Sequence, residues 1–252
     1  MRRAVMSMAQ AIYPARCMVC ETYTDATGGL CPSCWHDTHF ISGSTCATCA
    51  APLPGEVTGA QCDTCLNFPP PWQRGIAVLE YDGSGRRMVL ALKRHDRLDL
   101  APTLAAWLAR AAAPLLPHTD IITPVPLHPS RLARRKFNQS AELARPLAEQ
   151  AGLSYIPDLL TRTRKTESQQ GKDRLARIEN LKAAISSTPR HREMIRGKRV
   201  LLVDDVLTTG ATLSACTEAC FAAGAQNVNI VVLARVEPRQ NIPIFASSNV
   251  KD

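Results

Sequence analysis

Residues 200–216 read VLLVDDVLTTGATLSAC, and this order decides the fold class. Four apolar residues, Val200, Leu201, Leu202 and Val203, make a buried strand, and two adjacent acids, Asp204 and Asp205, close it. A loop of small and hydroxylic residues (Thr208, Thr209, Gly210, Thr212) then enters a helix. In open α/β sheets ligands bind beyond the carboxyl ends of the strands, and a helix N-terminus with free backbone N–H groups attracts anions. Gly210 lets the backbone approach a phosphate, and the threonine hydroxyls add donors. Two carboxylates beside a phosphate do not bind it. They accept hydrogen bonds from sugar hydroxyls or face a magnesium ion through water, so the implied ligand is a phosphorylated ribose. A mere tight turn with capping threonines is the plain alternative, and two acids at the end of a buried strand speak against it. No G-x-x-x-x-G-K-[ST] pattern occurs, which excludes a Walker A loop.

Outward from this segment, strands and helices alternate. GIAVLEY (75–81) predicts a strand, and a helical stretch follows to residue 116, broken near Pro102. DIITPVPL (120–127) predicts a short buried strand with a proline-marked end. FNQSAELARPLAEQAG (137–152) has helical spacing, with Pro146 as a flaw and Gly152 as its stop. RKTESQQGKDR (164–174) has no apolar side chain and reads as a mobile loop. LSACTEACFAAG (213–224) predicts a helix closed by Gly224, and NVNIVVLARV (227–236) another strand. Such alternation implies an α/β domain with a mostly parallel sheet flanked by helices. NFPPPW (67–72) is a stiff linker, because three prolines fix φ and exclude helix. The expected division is a small module over 1–71, the α/β domain over 72–237 and a loose tail over 238–252.

The small module is defined by cysteine. Eight of the ten cysteines form four C-x-x-C pairs, Cys17 and Cys20, Cys31 and Cys34, Cys46 and Cys49, Cys62 and Cys65, with spacers of 10, 11 and 12 residues. A C-x-x-C turn aims two thiolates at one point, and two turns complete a tetrahedral zinc shell. Two structural zinc ions therefore account for the pattern better than disulfides or redox chemistry, and four cysteines per ion leave no open catalytic position. Sequential ribbons suit the short, glycine-containing spacers better than a crossed brace. His36 and His39 are substitute ligands at best, and Cys216 and Cys220 read as small buried hydrophobes on one helix face.

The 252 residues, 45% of them hydrophobic, suffice for one ordinary domain plus a module. No apolar run approaches the roughly 18 to 20 residues of a bilayer span, and Gln10 interrupts the short apolar part of the N-terminus, so no signal peptide is read. The expected location is cytoplasmic. The net charge of +8 is unevenly spread: residues 1–72 hold three basic and five acidic groups, which leaves 27 basic and 17 acidic groups for the rest. Residues 131–177 alone hold eleven basic and five acidic groups. Affinity for nucleic-acid backbones comes mainly from Lys and Arg, so the acidic cysteine module is a poor nucleic-acid reader. The basic segment reads as a solvated helix face or as a surface turned to phosphates.

VLLVDDVLTTGAT closely resembles the phosphoribosyl pyrophosphate (PRPP) loop of type I phosphoribosyltransferases. The chain as a whole resembles the ComF family, through YPARCMVC, the paired knuckles, VLEYDGSGRRMVLALK, PVPLHPSRLARRKFNQSAELA and TRTRKTESQQGKDRLARIENLKAAI, in that order. The resemblance implies that Asp204 and Asp205 are the ribose-hydroxyl pair. It implies that Val206, Leu207, Thr208, Thr209, Gly210, Ala211 and Thr212 wrap the 5-phosphate. Leu127, His128, Pro129, Ser130 and Arg131 are similar in position to the pyrophosphate loop, and Arg164, Lys165, Gln169 and Arg177 to the flexible loop that closes over PRPP with its magnesium. Lys136 stands where the family usually has Gly, Glu167 where Pro is common, Lys172 where Leu is common and Ile185 where Phe is usual.

Three functions follow as expectations. The first is a transferase passing phosphoribosyl from PRPP to an acceptor with release of pyrophosphate, in which the protein positions groups and neutralises the leaving charge. No residue declares itself as the acceptor's base; His128 qualifies only by location. The second is a non-catalytic PRPP-binding adaptor for single-stranded DNA or for partner proteins in DNA uptake, an activity associated with the ComF family. The third, a zinc-ribbon transcription factor, is weakened by the acidic knuckles.

Overall fold

The wholly apolar runs of the sequence become the inner strands of one parallel sheet. The computed structural model describes residues 14–94, 97–162 and 184–237. In chain order these form α1 (Pro32–His36), α2 (Asp63–Asn67), β1 (Gly75–Glu80), α3 (Gly83–Arg94), α4 (Ala101–Ala112), β2 (Ile121–Pro124), α5 (Pro129–Arg135) and α6 (Gln139–Ala151). There follow β3 (Ser154–Tyr155), β4 (Leu160–Arg162), β5 (Ile185–Ser187), α7 (Arg192–Ile195), β6 (Arg199–Leu207), α8 (Ala211–Ala222) and β7 (Asn227–Arg235). The sheet order is β1-β7-β6-β2-β3, and every pairing in it is parallel. β4 and β5 pair antiparallel in a separate two-stranded sheet.

A parallel sheet is covered on both faces, which is why residues 200–203 of β6 and 230–234 of β7 are unbroken buried apolar runs. On one face Leu202, Ile230 and Val232 pack with Cys216 and Cys220 of α8. On the other, Leu201, Val203 and Val231 pack with Leu92 of α3, Leu104 and Leu108 of α4, and Leu143 and Leu147 of α6. Burying each such leucine contributes about 1.5 to 3 kcal/mol, so the two layers hold the sheet from both sides. Cys216 and Cys220 are fully buried, and burial pushes the Cys220 thiol up to about 12, as suits a packing thiol.

Prolines behave differently from the simplest reading. The helical stretch is interrupted before Pro102, which occupies the first turn of α4, where its missing N–H costs nothing. Pro146 lies inside α6, and the helix runs through it to a left-handed Gly152. The stretch after β2, whose residues 127–131 are similar in position to the pyrophosphate loop, is partly helical: α5 starts at Pro129 and is capped by the His128 side chain. It ends at Lys136, whose φ of 66° is left-handed. That conformation explains why glycine suits this position and makes lysine the strained choice.

The cysteine module is built into the sheet's side. The Glu80 N–H donates to the His39 carbonyl (2.9 Å) and the Ile41 N–H to the Val78 carbonyl (2.9 Å), so residues 39–41 lie antiparallel along the outer side of β1. Close by, the Ser84 N–H donates to the Asp37 carbonyl (3.0 Å), and a β-carbon at Gly83 would run into that oxygen. Trp72 donates its indole N–H to the Thr48 carbonyl (2.7 Å). Among the described residues no helix is long and apolar enough to cross a membrane.

Candidate functional site

The winding of the sheet places the site. The chain leaves β2 and crosses to β3 on one side, whereas it leaves β6 and crosses to β7 on the other. The strand order therefore reverses between β2 and β6, and the crevice beyond their carboxyl ends is the topological switch point, where open α/β sheets take their ligands. Two segments singled out in the sequence leave the sheet here: residues 127–131 after β2 and residues 206–212 at the end of β6.

β6 extends further than its apolar run suggests. Its pairing with β2 ends at Val203, but its pairing with β7 continues to Leu207. Asp204 and Asp205 thus sit inside a strand that has lost one neighbour, with Asp205 buried and Asp204 partly accessible. Val206 and Leu207 are buried, Thr208 and Thr209 are exposed, and Gly210 has a φ of 73°. Gly210 is the N-cap of α8 and supplies no side-chain cap, so the first amides of α8, from Ala211 and Thr212 onward, keep donors for an anion.

Each acid has a specific partner. Asp204 Oδ1 accepts from the Ser140 hydroxyl (2.8 Å) and from the Asp205 N–H (2.9 Å). Ser140 is held there by Asn138, which caps α6 by accepting from the Ser140 N–H (3.1 Å) and donates to the Val125 carbonyl at the end of β2 (2.9 Å). Burial first, and the neighbouring Asp205 charge second, push the Asp204 carboxyl up to about 7. Asp205 Oδ1 meets the Lys93 ammonium at 2.8 Å, from the last turn of α3. Ser140 and Lys93 fall in segments that carry the family resemblance but were not legible as site residues, because they lie far from the acid pair in the chain and their local sequence does not point to it.

The other side of the crevice is cationic. His128 Nδ1 accepts from the Ser130 N–H (3.1 Å) and lies 2.7 Å from its hydroxyl, so the imidazole caps α5. Pro129, Ser130 and Arg131 form the first turn of that helix, exposed, and Leu127 precedes them half-buried. Arg162, at the end of β4, is buried; burial and the positive charge of Arg131 hold its guanidinium below the usual range. Arg164, Lys165, Gln169 and Arg177 lie outside the described residues, as do Glu167, Lys172 and the expected tail.

The eight cysteines gather as two sets, Cys17, Cys20, Cys31 and Cys34, and Cys46, Cys49, Cys62 and Cys65. Within each set the four sulfurs lie within 4.8 Å of one another. Cys20 and Cys31 sulfurs are 3.5 Å apart and Cys49 and Cys62 sulfurs 3.7 Å, close to the roughly 3.8 Å edge of a tetrahedron with Zn–S bonds of about 2.3 Å. The ribbons are sequential, and each repeats one design. The first pair sits on a knuckle followed by a left-handed residue, Glu21 or Ala50, and the second pair opens a short helix, with Cys31 or Cys62 as N-cap. As free thiols the members of a set ionise unevenly: hydrogen bonds with Thr22 draw Cys20 down to about 6, whereas burial and the adjacent sulfurs push Cys34 up to about 12, an obstacle to a shell of four thiolates. A divalent ion removes that obstacle, so the donors fit two structural zinc ions. Arg235, buried at the end of β7, donates to the Cys49 carbonyl (2.8 Å) and reaches its sulfur (3.6 Å). His36 and His39 stand outside both sets; His39 Nδ1 instead pairs with Asp82 (2.7 Å).

Residues 8–66 match the double zinc ribbon domain family and residues 138–244 the phosphoribosyl transferase domain family. The chain is 33% identical over 226 residues to DNA utilization protein YhgH of Salmonella typhimurium, covering 87% of this chain and 89% of that protein. It is 28% identical over 226 residues to Competence protein F of Haemophilus influenzae, covering 87% and 96%. The chain belongs to the ComF family. Among solved structures, the glutamine PRPP amidotransferase of B. subtilis overlaps 52% of this ComF chain and 25% of its own, at 23% identity and a TM-score of 0.37. As a ComF protein the chain has a parallel phosphoribosyltransferase-like domain preceded by a double zinc ribbon.

Proposed function

We propose that this chain binds PRPP at the switch point between β2 and β6 and transfers its phosphoribosyl group to an acceptor. The observation that carries the reading is the meeting, at one strand end, of an acid pair and an uncapped helix N-terminus. Asp204 and Asp205 take the ribose hydroxyls, and residues 206–212 take the 5-phosphate. Residues 127–131, with Arg131, meet the pyrophosphate, aided by Arg164, Lys165, Gln169 and Arg177. Magnesium, when bound with PRPP, would neutralise charge on the pyrophosphate. In the transfer the bond from the anomeric carbon to pyrophosphate breaks, and a bond to the acceptor's nucleophilic atom forms. The acceptor's proton leaves, and pyrophosphate departs with the bonding pair. In this reading 1–71 is the zinc-ribbon module, 72–237 the phosphoribosyltransferase-like domain and 238–252 a tail, in a cytoplasmic protein.

A second reading is favoured by the relatives' names, DNA utilization protein and Competence protein, together with the basic segment 131–177. In it the chain is a non-catalytic PRPP-binding adaptor for single-stranded DNA or partner proteins during DNA uptake. Calorimetric titration with PRPP and magnesium tests the shared core: the wild type binds, and Asp204→Ala and Asp205→Ala each lose binding. Failure of the wild type to bind removes both readings. Pyrophosphate release across an acceptor panel supports the first, whereas tight PRPP binding without turnover and salt-sensitive DNA binding supports the second.

A further inference from the structure

Lys93 closes the family segment VLEYDGSGRRMVLALK, to which the resemblance assigns no role at a phosphoribosyl site, yet its ammonium lies against one of the two acids. Its Nζ lies 2.8 Å from Asp205 Oδ1, with 22% of the lysine side chain and 11% of the aspartate side chain exposed. Helix α3 does not need this charge for packing, because Met88, Val89 and Leu92 are fully buried and hold it to the sheet. A largely buried ion pair is also weak support for stability, since desolvation offsets most of the attraction. The pair is better explained by what surrounds it. Two carboxylates stand at the mouth of an anion site and repel the polyanion that the site is built to hold. Among the described residues Lys93 is the one cation at ion-pair distance from either acid. An ammonium has three donors, and one aspartate oxygen occupies only one of them.

Resting on the PRPP reading above, we propose that Lys93 is a built-in counter-ion of the acid pair, standing where such a pair would otherwise recruit a divalent cation. It lowers the repulsion between the acids and a phosphorylated ligand, and it makes ligand binding at this site only weakly dependent on magnesium. The last turn of a helix suits this role, since the carbonyl ends there favour a cation and hold Lys93 in place.

The test uses the full-length, zinc-loaded protein in buffer freed of magnesium by a chelating resin, because EDTA would strip the cysteine clusters. PRPP is titrated with and without magnesium into wild type, Lys93→Met, which keeps the aliphatic stem, and Lys93→Arg, which keeps the charge. The expected result is a loss of affinity in Lys93→Met of roughly tenfold or more without magnesium and a much smaller loss with it, a coupling of ordinary size. Lys93→Arg stays near wild type. A second measurement needs no PRPP: Mn2+ binding followed by electron paramagnetic resonance should be gained in Lys93→Met relative to wild type. Equal affinity losses with and without magnesium, or equal Mn2+ binding in the two proteins, overturns the counter-ion role. Absence of PRPP binding by wild type in magnesium instead sinks the proposed function, and the Mn2+ comparison then decides the role of Lys93 alone.

Discussion

Replacing Asp204 with asparagine should stabilise the ligand-free protein while abolishing its affinity for PRPP. The structure makes this substitution unusually clean. Both hydrogen bonds to the Asp204 side chain, from the Ser140 hydroxyl and the Asp205 N–H, fall on Oδ1, which asparagine retains as its carbonyl oxygen. What changes is the charge. Burial and the Asp205 charge hold the Asp204 carboxyl up to about 7, against an ordinary 3.8. An acid raised in the folded state favours folding fully below the unfolded value, and that contribution is lost as pH climbs from there through about 7. Taken whole, the shift corresponds to about 4 kcal/mol at about 1.4 kcal/mol per unit; half of that, about 2 kcal/mol, is reasonable for a partly accessible group that shares its charge with a neighbour. Asp204→Asn should therefore exceed wild type by about 2 kcal/mol at about pH 8.5 and by about 1 kcal/mol at about pH 5.5, where half of the penalty has been relieved. Urea unfolding at both values, above the acidity that strips zinc from thiolates, measures the gap. A variant less stable than wild type, or a gap that does not widen with pH, would falsify the claim that the acid pair is held under electrostatic strain. Such strain at a ligand site is the usual trade of stability for function.

Two further substitutions probe other parts of the chain. Lys136→Gly relieves a left-handed backbone at the end of α5 and should raise stability by a net 0.5 to 1 kcal/mol or so, read as a higher urea midpoint; an unchanged or lower midpoint would mean that the turn relaxes around lysine at no cost. Arg235→Met removes the guanidinium from the Cys49 carbonyl and sulfur and should cost about 2 kcal/mol. It should also speed zinc release to a colorimetric chelator from one of the two sites, and equal release from both would dissociate Arg235 from the second ribbon.

What was legible in the chain is what is written contiguously. The zinc shells are encoded in C-x-x-C turns, and the acid pair, Gly210 and α8 follow one another without interruption. Ser140 and Lys93 reach the acids only because the parallel sheet brings α6 and the end of α3 to the ends of β2 and β6, and no local pattern announces such a meeting. The antiparallel pair β4 and β5 escaped notice for another reason: three-residue strands such as LTR and ISS carry too little alternation to be distinguished from loop. Residues 129–135 were obscured by their charge, since a basic run reads as solvated surface whether or not it is coiled.

The antiparallel contact of residues 39–41 with β1 gives the cysteine module a task other than holding metal. β1 is one of the two edge strands of the sheet, and on its side facing away from β7 the Val78 carbonyl and the Glu80 N–H are taken by the chain that runs between the two zinc sites. An uncovered strand at a sheet margin is a template for strand addition by another copy. Metal starvation should therefore be felt as self-association through the freed margin of β1, and zinc supply becomes a condition of solubility as well as of folding.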